Sequence, residues 1–253
     1  MSNPPVLPDF TAAEWGLALV AALGIGVSKS GLPGVSLLHV VLFAQLFPGL
    51  RSTGVVLPML IVGDLGAVVL FRRHAQWIYV LRTLPPALIG VAIGWGCMRA
   101  WPGLKWNPVI GGIVAMLALL QLVRNWRPTL LTNVPHTPGF AWAMGLLAGV
   151  TTMVANAAGP VMALYLLAVA LPKEAFVGTA AWFFLLINVL KVPFSVQLGF
   201  VRPETLAFNA LLVPVIIAGL FVGRIVVARV PQKAFDTLIL AFAVVASIKL
   251  ILF

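Results

Sequence analysis

The residues best placed to do chemistry in this chain are a lysine between two serines, an aspartate alone in an apolar run, and a second lysine later on. Lys29 stands between Ser28 and Ser30, in a segment that also holds Gly24, Gly26, Gly31, Pro33 and Gly34. Glycines this dense disfavour a continuous helix, and Pro33 removes a backbone donor. The segment reads as a break between two half-helices. A helix starting near Pro33 would turn its free N–H groups and positive dipole end toward the break. Together with the Lys29 ammonium and the hydroxyls of Ser28 and Ser30, those donors describe a site for a small anion. A P-loop is excluded, because the glycine required just before the lysine is Ser28.

Segment 149–160 repeats the pattern with neutral donors, Thr151, Thr152 and Asn156, followed by Gly159 and Pro160. The two breaks are expected to hold an oxyanion between them, with Gly31, Gly34 and Gly159 part of the binding site. The competing reading is that the glycines serve close helix packing and that Lys29 reaches out to the membrane interface.

Asp64 is the only acidic residue well inside an apolar run. An ionisable group there costs at least about 2.5 kcal/mol, so it is a functional candidate, and its titration would suit proton coupling. The alternative is a carboxylate paired with a nearby base or held protonated in the packing. Asn188 occupies the matching position in the second half and keeps the hydrogen bonding without the charge. Lys191, about one turn later, either faces the same cavity or snorkels. His39, Gln45 and Arg51 are further residues for an access path, or else packing and interfacial groups. No HExxH, nucleophile elbow or second carboxylate near Asp64 suggests an enzyme. Cys97 is the only cysteine, which excludes an intrachain disulfide and a multi-cysteine metal site, and no cofactor is expected.

The elements that must carry these residues follow from composition. Of 253 residues, 62% are hydrophobic and only 9% charged, where a soluble domain carries roughly a quarter. Runs 30–50, 106–123 and 205–223 have no charge, 52–71 has only Asp64, and nothing charged lies between Arg127 and Lys173. Roughly 20 apolar residues span a bilayer. The chain therefore reads as an all-α, polytopic transmembrane bundle of eight to ten helical elements. The net charge of +10 sits mainly at the ends of apolar runs, which suits cytoplasmic loops and lipid headgroups and not nucleic acid. Residues 1–14 carry no Lys or Arg, so no cleaved leader is expected, and the N-terminus is expected on the non-cytoplasmic side.

Ten elements are predicted, at 12–27, 31–47, 52–71, 77–99, 105–123, 139–154, 159–171, 174–198, 204–229 and 232–252. The second and seventh are short enough for partial or re-entrant spans. A linker at 128–138 separates a first repeat, 1–127, from a second, 139–253. Gly24, Gly31 and Gly34 align with Gly149, Asn156 and Gly159; Gly54 and Asp64 align with Gly178 and Asn188; Pro85, Gly90 and Gly94 align with Pro214, Gly219 and Gly223. Five elements per half, an odd number, would give the halves opposite orientation, a plan of secondary transporters with the site where the repeats meet.

At these segments the chain resembles the sulfite exporter TauE/SafE family, also called the toluene-sulfonate uptake permease family. The resemblance rests on segments 24–34 and 149–160, on Thr53, Gly54, Gly63, Asp64, Arg72 and Arg73, and on Val177, Gly178, Thr179 and Lys191. Many members carry denser glycine clusters where this chain has Ser28, Lys29, Ser30, Thr151 and Thr152, which leaves the exact cargo open. The resemblance implies a multi-pass protein of a cell membrane, in bacteria the inner one. It implies a carrier, in the export direction, for sulfite, an organosulfonate or a related organic acid. Its partners would be that anion and membrane lipid, with homo-oligomerisation left open. Alternating access with one repeat rocking against the other is the expected mechanism, with Asp64 as the proton-coupling group. An anion channel and a non-transporting membrane scaffold are the rival readings.

Overall fold

The computed structural model describes residues 7–32, 35–47, 49–126 and 137–229, with Val244, Ile248, Ile251 and Leu252 beyond them. The described residues form nine α-helices and no strand. They are α1 (Ala12–Lys29), α2 (Val35–Leu46), α3 (Arg51–Phe71), α4 (Trp77–Ala100), α5 (Trp106–Trp126), α6 (Pro138–Ala155), α7 (Ala158–Ala168), α8 (Lys173–Gln197) and α9 (Pro203–Arg229). These match the first nine predicted elements to within a few residues. The tenth, 232–252, lies almost wholly outside the described residues, as do Gly34 and nearly all of the predicted linker.

Local sequence sets the helix starts. Thr11 and Glu14 form a reciprocal capping box at the head of α1, and Thr137 caps α6 with Pro138 just inside it. Six helices, α1, α3, α4, α6, α8 and α9, have the length and apolarity to cross a membrane. The short helices α2 and α7 do not. Their 12 and 11 residues reach about 18 and 17 Å at 1.5 Å per residue, against a hydrocarbon core of about 30 Å. Most of their residues are buried instead, as broken segments at membrane depth must be.

Two large apolar cores result, with two small clusters beside them. One joins α1 and α3 to α9 with Phe43 of α2; the other joins α4 and α5 to α6, α7 and α8, with part of α2. The closest helix pairs are α1 with α9 and α4 with α6, and glycines make both possible. A Cβ on Gly26 would collide with the Ile216 carbonyl, and one on Gly219 with the Leu23 carbonyl. In the other pair, a Cβ on Gly149 would collide with the Ala87 carbonyl, and one on Gly90 with the Leu146 carbonyl. Small residues are what let membrane helices approach so closely. The sequence aligns Gly149 with Gly24, whereas the glycine at the α1–α9 seam is Gly26, two residues on. The residues with positive φ at the two breaks, Gly31 and Asn156, are a pair that the sequence aligns. The reason is length: α6 carries two more residues than α1 between its seam glycine and its break.

Between the cores, α3 and α8 pack with the start of each against the end of the other. Gly54 of α3 lies on the Phe200 backbone just after α8, and Gly178 of α8 lies on the Phe71 carbonyl at the end of α3. Near the middle of this antiparallel contact, Asp64 meets Asn188.

Candidate functional site

Both glycine-bearing segments are broken as the sequence predicts. In the first, α1 stops at Lys29, Gly31 adopts φ +110, and α2 begins at Val35. A side chain at Gly31 would be strained and would press on Val177. In the second, α6 stops at Ala155 and Asn156 takes the left-handed conformation, φ 53, which asparagine tolerates better than most residues. Helix α7 then begins at Ala158 with no side chain capping its free N–H groups.

The charged groups of the site lie in the interior. The Lys29 ammonium is 2.7 Å from Asp64 Oδ1 and 4.4 Å from the centre of the Phe184 ring. Asp64 is fully buried, and its other oxygen accepts a 2.6 Å hydrogen bond from Asn188 Nδ2. That bond fixes the orientation of the amide, because only its nitrogen can donate to a carboxylate. Lys191 is 2% exposed and donates to the Thr152 carbonyl at 3.1 Å, Thr152 Oγ1 at 2.8 Å and Asn156 Oδ1 at 2.6 Å. An ammonium has three N–H bonds, so all are used. The acceptors belong to the carboxyl end of α6, the negative end of its dipole. Lys191 therefore neither snorkels nor faces the cavity; it pins a helix end. Asn156 extends the same tie by donating from Nδ2 to the Thr53 carbonyl at 3.0 Å.

Both breaks open onto one cavity of about 50 Å³, several times the space of about 10–15 Å³ that a single water needs. Ser28, Lys29 and Gly31 line it from the first break, and Thr152, Asn156 and Gly159 from the second. Ser36 and His39 of α2 and Phe176, Phe184 and Asn188 of α8 add further polar and aromatic groups to the wall.

Other predicted site residues stand apart from it. Ser30 donates to the Val27 carbonyl and lies against Gly223 of α9, and Thr151 donates to the Leu147 carbonyl. Ser28 lines the cavity but also spends its proton on its own helix, at the Ile25 carbonyl. Among the described residues, Thr152 Oγ1 accepts from Lys191 and donates to nothing, so it is the hydroxyl left with a proton to offer. Asp64 sits behind Lys29. Arg51 lines a separate outer cavity with Lys105, and neither it nor Gln45 lines the central one. Phe184, which the sequence reading passed over, was within reach of it: four residues before Asn188, it shares the same helix face. Among the described residues no cluster of His, Cys, Asp and Glu could hold a metal.

Membrane-length helices around a buried, cationic cavity formed by two broken helices define a membrane transporter. A model of the family described as sulfite exporter TauE/SafE matches residues 17–250, and the chain belongs to that family. It is a family of membrane transporters and not of enzymes, and the chain is a multi-pass membrane protein. No curated protein and no solved structure matches the chain.

Proposed function

We propose that this protein is a secondary carrier that exports a small anion (sulfite, an organosulfonate or a related organic acid) by alternating access. The observation that carries this reading is the convergence of both helix breaks on one small cavity beside Lys29. Counted in their ordinary charged forms, Lys29, Lys191 and Asp64 leave one positive charge over, which a monoanion would balance. Lys29 holds Asp64 while the cavity is empty and turns to the cargo when it arrives. Protonation of Asp64 releases Lys29 without leaving a second charge behind, which is how a proton would be coupled to the anion.

The contacts between matching positions support two halves of opposite orientation, 1–127 and 139–253: the equivalent helices α3 and α8 run antiparallel, and Asp64 touches Asn188. The helix seams favour moving bodies other than the two halves. The seams α1–α9 and α4–α6 each join helices from different halves. One half rocking as a unit against the other would tear both, so the cross-half pairs are the bodies that move.

Purified protein in liposomes tests the reading. A carrier takes up labelled sulfite or sulfonate with saturation and is accelerated by unlabelled anion on the far side. Flux that rises linearly with concentration and ignores the far side indicates a channel, and flux no greater than that of empty vesicles indicates a scaffold. Asp64→Asn should abolish pH-driven uptake and spare exchange; uptake at full rate would make Asp64 structural. Lys29→Ala combined with Asp64→Asn should fold and bind the anion at least tenfold more weakly, and unchanged affinity would remove Lys29 from the site.

A further inference from the structure

Two polar side chains in the cavity wall have buried nitrogen or oxygen atoms without a hydrogen-bond partner among the described residues. His39 is 1% exposed, and neither ring nitrogen has a hydrogen-bond partner among the described residues. Asn188 is 2% exposed, and its Oδ1 is likewise without a partner, because Nδ2 is committed to Asp64. Both residues line the cavity. Buried groups of this kind are costly when left unmatched, about 1–3 kcal/mol each, so a ligand that satisfies them is favoured over one that does not.

The chemistry of the two groups narrows that ligand. Asn188 Oδ1 can only accept. A neutral imidazole presents one N–H and one bare nitrogen, so it donates once and accepts once. A plain sulfonate or carboxylate offers acceptors alone and leaves Asn188 Oδ1 unsatisfied. An ammonium would satisfy it, but would add a cation beside Lys29 and Lys191, which already outnumber Asp64. A hydroxyl both donates and accepts and adds no charge.

We infer that His39 and Asn188 are specificity-determining residues that read a hydroxyl on the cargo, so that the preferred substrate is a small monoanion carrying a hydroxyl near its acid group. This rests on the anion-carrier reading and refines it. Lys29 and the α7 amino end take the acid group; His39 and Asn188 take the hydroxyl. A site built to hydrogen-bond a hydroxyl rejects the analogue that lacks it, because its own polar groups are then stranded.

The test is calorimetric titration of the full-length protein in detergent with two ligands of equal charge and length. These are 2-hydroxyethanesulfonate and propane-1-sulfonate, in which a methyl replaces the hydroxyl. Wild type should bind the hydroxy ligand tenfold or more tighter, and 2-aminoethanesulfonate should bind more weakly than the hydroxy ligand. In His39→Phe the ratio should fall below threefold, with propane-1-sulfonate affinity retained as proof of the fold. If that variant binds neither, the wild-type ratio alone decides. Equal wild-type affinities would mean that trapped water fills the two groups, overturning this inference and sparing the carrier reading. Tighter binding of the amine would also overturn it. Binding of none of the three would overturn both.

Discussion

At the first break the charge belongs to the broken helix: Lys29, ending α1, pairs with Asp64 on the long helix α3. At the second break the arrangement is reversed. The charge, Lys191, belongs to the long helix α8, and the broken helix α6 supplies neutral oxygens from Thr152 and Asn156. Each contact ties a helix end to the long helix behind it. They differ in what could replace them. Lys29 is 10% exposed at the cavity wall, where an anion can compete for it, and Asp64 can exchange that partner for a proton. Lys191 has every donor filled by a neutral acceptor and lies off the cavity. One tie is exchangeable, the other is fixed.

Breaking each tie in turn sharpens that difference. Lys29→Met strands a fully buried carboxylate and should destabilise the folded protein by about 3–5 kcal/mol, read by denaturant unfolding in mixed micelles. Adding Asp64→Asn should restore most of the loss, because no unpaired charge is left; failure to restore it would show that the pair is not the tie described. Lys191→Met removes three hydrogen bonds from an ammonium and leaves Asn156 Oδ1 bare, a cost of about 2–3 kcal/mol in the same assay. No neighbouring substitution should rescue it, since no opposite charge was waiting. Gly26→Ala and Gly149→Ala test whether the two seams are equivalent. Each should cost about 1–3 kcal/mol by overpacking, while Gly112→Ala, with open space around it, should be neutral or better. The smallest effect belongs to Phe184→Leu, which removes the ring beneath Lys29 and should cost about 1 kcal/mol.

Much of this was legible in the sequence because membranes are strict. Charge-free runs had to be helices, and glycine-rich interruptions among them had to be buried breaks, so nine elements and both breaks could be read directly. Asp64 and Asn188 each stand ten residues after a glycine, Gly54 and Gly178, and the structure has them touching. What stayed hidden depended on direction. Three of the hydroxyls offered as donors, on Ser28, Ser30 and Thr151, turn back onto carbonyls of their own helices, a local preference that competes with any ligand. Lys191 holds a helix end, a partner that spacing alone does not reveal. His39 lines the cavity through a rotation of α2 that only packing against its neighbours decides.

The exchange of helices between the two halves also bears on how the chain is made. When the first half has entered the bilayer, the backbone faces of Gly26 and Gly90 have no mate, since α6 and α9 are still to be synthesised. The core that contains α6, α7 and α8 waits for the second half, and the core of α1 and α3 stays open until α9 arrives. Closure of that core is thus postponed, and a ribosome that stalls before residue 203 leaves an open intermediate instead of a finished half-molecule.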